Sequence, residues 1–196
     1  KVKRMPFTLQ RMLIEKLDAA QSNGMRTARH MLNVLQEEKI LAQFFLGAPG
    51  IAGGSVEKAK AQGDALVALP DKRGEYQGRM VLARVAAHEK DWAEMSRQFT
   101  FAETAGGVGA DPVAALRSLA WNLLNQKKDP EAAAPVVARY LKVAPAEDVT
   151  AWFLDAEVKR QLGHCADALP QDDRVLVTRP EAKGSRGGAA VCHDQL

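Results

Sequence analysis

The sequence predicts an all-α protein, an array of antiparallel helical hairpins of the α-solenoid kind. Three observations predict it. Ala is abundant, aromatic residues are 6% of the chain and β-branched residues are sparse, which favours packed helices over sheets. Apolar residues recur at intervals of three and four through most of the 196 residues. Residue types also return at long range: Pro145 recurs as Pro180, and Ala133 as Ala168, each time after 35 residues.

Pro6 can open a first helix, and Phe7, Leu9, Met12, Leu13, Leu17 and Ala20 follow at helical spacing up to the stop at Asn23 and Gly24. From Met25 a second, longer pattern runs through Ala28, Met31, Leu32 and Leu35 to Phe44, Phe45 and Leu46. Residues 1–46 are therefore expected to form an N-terminal helical hairpin. Residues 47–55, reading GAPGIAGGS, hold four Gly and one Pro. A helix tolerates few of these, at about 1 kcal/mol per Gly and about 3 per Pro, so the stretch is a loop. It lacks the Lys-Ser/Thr of a P-loop and follows a helix rather than a strand, which argues against phosphate binding.

Ser55 caps a short helix carrying Val56, Ala59, Ala65, Leu66 and Leu69, closed by Pro70. From Tyr76 the rhythm is regular: Met80, Leu82, Ala83, Val85 and Ala86 on one helix, a break at Lys90 and Asp91, then Trp92, Met95, Phe99 and Ala102. After GGVGAD, Pro112 sits just inside a helix with Leu116, Leu119, Ala120, Leu123 and Leu124. Lys127, Lys128 and Asp129 make the next turn. Pro130 starts a partner helix with Ala133, Val136, Val137, Tyr140, Leu141 and Val143 inward, ending before Pro145.

The stretch from Val149 to Pro180 sets Trp152, Ala156, Gly163, Ala168 and Pro180 in order. A bulky anchor, a small contact residue, a Gly to end the first helix, a small residue at the second helix crossing and a Pro to stop make a helical hairpin. These five positions resemble the signature of the tetratricopeptide repeat. The likeness extends over about 105 residues, with the clearest repeats in 76–180, inside an array expected over 56–180. Lys128 in place of the Gly and Met95 in place of the Ala depart from it. Asp172 and Asp173 stand where the last helix should be apolar, so the final unit is expected to be frayed or to act as a polar cap. The tail 181–196, EAKGSRGGAAVCHDQL, is Gly-rich and non-periodic, and is expected to be flexible and extended.

The resemblance implies a non-enzymatic scaffold for protein–protein interaction, a subunit of a larger assembly. The helix-turn-helix spacing, and AGGVGADP, also resemble the pentatricopeptide repeat. That likeness implies the alternative of an organellar, ribosome-associated RNA-binding protein that reads bases through a few side chains per repeat. For either ligand, the polar members of the first helices are the expected contacts: Arg79, Arg84, Arg117, Asn122, Lys159 and Arg160. They lean basic, which suits an acidic peptide or a phosphate backbone. Trp92, Trp121, Trp152 and Tyr140 offer hot-spot anchors for a bound peptide, but lie at helical spacing with apolar neighbours and are expected mainly as core.

The remaining chemistry is sparse. A formal charge of +3, from 27 basic and 24 acidic residues, does not by itself announce a polyanion partner. His164 with Cys165, and Cys192 with His193, mirror each other as soft ligands, but adjacent ligands strain a tetrahedral site and no CxxC is present. They are expected as loop and tail residues, with no metal. His30 and His88 lack an HExxH partner and no Ser stands in a GxSxG elbow, so neither a catalytic residue nor a cofactor is expected. Two widely spaced cysteines suggest a reducing compartment, mitochondrial or cytoplasmic. No apolar run reaches the roughly 18 residues of a membrane span, so a soluble protein is expected. The opening Lys1-Val2-Lys3-Arg4, with no initiator Met, fits a processed or truncated chain.

Overall fold

A computed structural model describes Phe45 and residues 54–72, 74–107 and 109–195. The hairpin expected over 1–46, Phe45 apart, and the Gly-rich loop before Gly54 lie outside those residues. The described chain is all helical: α1 (Val56–Val67), α2 (Glu75–Glu89), α3 (Trp92–Thr104), α4 (Pro112–Asn122), α5 (Pro130–Val143), α6 (Val149–Gln161), α7 (Cys165–Thr178) and α8 (Lys183–Gln195). A 3-10 turn covers Pro70–Lys72, and a π-helical turn, Leu123–Lys127, prolongs α4. No strand occurs among the described residues, and no helix there is long and apolar enough to cross a membrane.

Helix starts follow from local chemistry. Ser55, Asp91, Asp111, Asp129 and Asp148 each accept a hydrogen bond from a backbone N–H of the first turn that follows, at 3.2, 3.0, 2.9, 2.9 and 2.9 Å. Pro112 and Pro130 fill first-turn positions that have no N–H to satisfy. The ends are equally local. Lys90 (φ 61°), Lys128 (φ 60°) and Gly163 (φ 79°) take the left-handed conformation that stops α2, the α4 extension and α6. Lys128 thus does the work of the Gly whose place it takes.

Helices that follow one another in the chain pack on one another from α1 to α8, with further contacts of α4 with α6 and of α6 with α8. Ala83, Ala120 and Ala156 on α2, α4 and α6 are fully buried, as are Met95, Ala133 and Ala168 on α3, α5 and α7. The step from Ala120 to Ala133 is one residue longer than the steps from Ala83 to Met95 and from Ala156 to Ala168. The π-helical turn absorbs that residue without breaking the helix. The main core gathers Phe99, Leu116, Leu124, Val137, Tyr140 and Leu154, each side chain of this size contributing about 2 kcal/mol by leaving water. Between α1 and α2 the backbones come close: a Cβ on Gly78 would stand 2.7 Å from the Gly63 carbonyl oxygen.

Three expectations change in the C-terminal third. The tail, expected to be extended, is helical as α8, although Gly184, Gly187 and Gly188 each cost about 1 kcal/mol against Ala. Tertiary contacts offset this, with Ser185, Ala189 and Cys192 buried. Secondly, Cys165 and Cys192 are neither loop nor tail residues. They open α7 and sit on α8, joined as a disulfide across a separation of 27 residues. The cysteines therefore give no guide to compartment. Thirdly, the final unit is not frayed at Asp172 and Asp173: α7 runs through both to Thr178, with Asp172 fully buried and Asp173 exposed.

Candidate partner-binding surface

The six polar residues expected at a ligand divide sharply. Asn122 and Arg160 do not lie on an open face. Asn122 is buried, its amide donating to the Ser118 carbonyl at 2.7 Å. Arg160 has 10% of its side chain exposed and is held by Asp172 and Glu157. Lys159 is half-buried and paired with Asp155 at 2.7 Å on its own helix. Arg79 donates to Gln98 Oε1 at 3.1 Å and lies 4.8 Å from the Phe101 ring centroid, joining α2 to α3.

Arg84 and Arg117 remain. Arg117 is exposed on α4. Arg84 is half-buried, and its Nη1 is buried with no hydrogen-bond partner. Burial pulls the Arg84 pKa down, with the Tyr76 hydroxyl acting in the opposite sense. Both guanidinium groups act on Tyr76. Burial first, and then the Asp111 carboxylate, push its hydroxyl up to about 12, while Arg84 and Arg117 pull it down. These residues bring α2, α4 and the start of α4 into one electrostatic neighbourhood.

One turn beyond Arg117, Trp121 follows the buried Ala120 and is 46% exposed, against the expectation of a core residue. A helical-wheel signal for this existed. The buried face of α4 runs through Leu116, Leu119, Ala120 and Leu123, and a residue about 100° past Ala120 falls off its edge. The Trp121 ring lies 6.5 Å from that of Phe153 on α6, tilted by 32°. With Val149, Thr150, Val175, Arg179 and Ala182, the two rings line a recess of about 260 Å³. Trp92 and Trp152 are half-buried, with the Arg174 guanidinium 4.4 Å from the Trp152 ring centroid. Tyr140 is fully buried and donates its hydroxyl to Asp148 at 2.7 Å.

A second recess, of about 290 Å³, is lined by Gly163, His164, Cys165, Ala166, Asp167 and Gln195. Among the described residues no group of three or more His, Cys, Asp or Glu side chains is placed to hold a metal ion. The Trp121–Phe153 recess is the more developed surface. It combines two aromatic rings, mostly apolar lining and an Arg, including the residue types that dominate binding energy at protein interfaces. Comparison with known proteins gives no significant match to a protein-family model, a curated protein or a solved structure.

Proposed function

We propose that this chain is a non-enzymatic helical-repeat scaffold, similar to tetratricopeptide repeats, that docks a protein partner at the recess around Trp121 and Phe153 as a subunit of a larger assembly. The observation that carries this reading is the half-exposed Trp121 beside Phe153, in a recess whose remaining walls are chiefly apolar. An exposed Trp in an apolar recess is the kind of surface that marks a protein-interaction site. The repeated buried positions Ala83, Ala120 and Ala156 support the reading of α2–α3, α4–α5 and α6–α7 as stacked hairpins.

Protein is favoured over RNA because three of the five basic residues expected to meet phosphates are engaged by neighbouring side chains, which leaves only Arg84, half-buried, and Arg117, exposed. Arg79 is on Gln98 and Phe101, Lys159 on Asp155, and Arg160 on Asp172 and Glu157. The test is capture from the native source by the tagged chain, in halves with and without ribonuclease, beside a Trp121→Ala variant. A defined protein set that survives ribonuclease and is lost with Trp121→Ala is the expected result. A set that disappears with the RNA would replace this reading with the pentatricopeptide-like one.

A further inference from the structure

We infer that the Cys165–Cys192 disulfide is a redox latch: it holds α8 against α6 and α7, and its reduction reshapes the recess around Trp121 and Phe153. The regulatory half of this inference rests on the partner-docking reading above.

The disulfide is the one covalent cross-link between α8 and the helices it packs on. Its buried residues, Ser185, Ala189 and Cys192, are all small, so docking removes little apolar surface from water. Its three glycines weaken the helix, and two of them, Gly184 and Gly188, lie against neighbouring side chains, while Gly187 meets nothing within 4 Å. A Cβ on Gly184 would stand 2.9 Å from the Phe153 ring, and one on Gly188 would run into the Arg160 guanidinium. Better helix formers are therefore crowded at Gly184 and Gly188. Docking also leaves Ser185 Oγ and Asp172 Oδ1 buried without hydrogen-bond partners, groups that undocking returns to water. The covalent bond opposes all of these.

The same helix shapes the candidate surface. Gly184 backs the Phe153 ring, and Ala182, one residue before α8, lines the recess with it. Moving α8 uncovers Phe153 and removes that wall. A reductant has a way in, because Cys165 lines the second recess beside His164, Asp167 and Gln195. The co-reactant is a dithiol. One thiolate of the dithiol attacks the Cys165 sulfur, the S–S bond breaks, and Cys192 leaves as a thiolate that takes up a proton. The second thiol of the reductant then attacks the mixed disulfide, closing the reductant's own disulfide and freeing Cys165. Two electrons pass from the dithiol to the protein.

Hydrogen exchange read by mass spectrometry on the full chain, oxidised and after dithiothreitol, tests the latch. The amides of α8 should exchange about ten-fold faster after reduction while those of α2 to α5 keep their rates. The Cys165→Ser, Cys192→Ser double variant should match the reduced form without reductant. Equal α8 exchange in the two forms overturns the latch. So does loss of protection in every helix at once, and so does alkylation of both thiols in the air-oxidised chain. The link to the recess is read by acrylamide quenching of Trp121 in a Trp92→Phe, Trp152→Phe background, which should rise about two-fold on reduction. Unchanged quenching overturns the link. Neither readout uses a partner, so failure here is distinct from failure of the ribonuclease-split capture.

Discussion

Arg160 of α6 and Asp172 of α7 form an ion pair inside the protein, the carboxylate fully buried and the arginine side chain 10% exposed. Asp172 occupies the place that Phe99 and Val137 take in the two preceding helix pairs, each seven residues after the residue that begins its helix. Burial works against the Arg160 charge, but hydrogen bonds to Asp172 and Glu157 outweigh it and raise the pKa. Gly188 of α8 closes over the guanidinium. The buried carboxylate thus fixes the guanidinium against which Gly188 of the last helix lies.

Replacing Asp172 alone by Val leaves a buried guanidinium with Glu157 as its remaining partner, and is expected to lower the unfolding free energy by about 3 kcal/mol. Arg160→Met together with Asp172→Val removes both charges and should recover most of that loss. Urea denaturation of the single and double variants checks this. A double variant no more stable than the single would show that the two residues are not coupled.

The left-handed residues at the helix ends make a second test. A side chain at Lys128 costs about 1 kcal/mol in this conformation, so Lys128→Gly is expected to raise stability by somewhat less than that, after the added freedom of the unfolded chain. Gly163→Ala should lower it by about 1 kcal/mol for backbone reasons alone, because a Cβ there meets nothing within 4 Å. Thermal melts of the two variants should move in opposite directions.

His164 begins α7 without a side-chain cap, where Asp91 and Asp129 cap α3 and α5. His164→Asp should stabilise the fold by about 1 kcal/mol by accepting from the first-turn N–H groups. The shift of the denaturation midpoint measures it. No shift would mean that the backbone at residue 164 is wrong for a cap.

Both tyrosines of the chain, Tyr76 and Tyr140, have hydroxyl pKa values raised chiefly by burial, Tyr76 to about 12. The sign follows from linkage: the folded state keeps the proton that the unfolded state loses near pH 10. Their contribution is complete below pH 10 and is lost as the pH climbs towards 12. Tyrosinate absorbance at 295 nm should therefore rise together with the loss of helical circular dichroism. A rise near pH 10 with the helices intact would mean that water reaches the hydroxyls.

The acid limb has the opposite sign. Asp129 has its pKa lowered first by the hydrogen bond from Lys127 and then by its cap bond to the Ala132 N–H. That stabilisation is present above the carboxylate's unfolded value near 4 and fades as the pH falls through the lower folded value. Asp129→Asn should weaken the pH dependence of stability below 4 while keeping a cap, which acid titration followed by circular dichroism would show.

The sequence by itself determined the helical composition and most helix boundaries from Ser55 to Thr178. The signals there are local: a capping Ser or Asp within three residues of the N–H it accepts from, a Pro in the first turn, a residue that tolerates positive φ at the end. It also showed the returning small positions, Ala133 and Ala168, that the core buries. Only the tertiary structure decided the rest. Propensity assigns Lys183–Gln195 to coil, and it is a helix because Cys192 bonds to a residue 27 positions away and Gly188 fits against Arg160. A charge at Asp172 reads as a frayed end until its partner on another helix is in place. Trp121 reads as core by composition but meets solvent and Phe153, because the faces of α4 are shared out among α3, α5 and α6. For Lys183–Gln195 and Asp172 the outcome depends on which distant residue arrives opposite, and no local pattern carries that information.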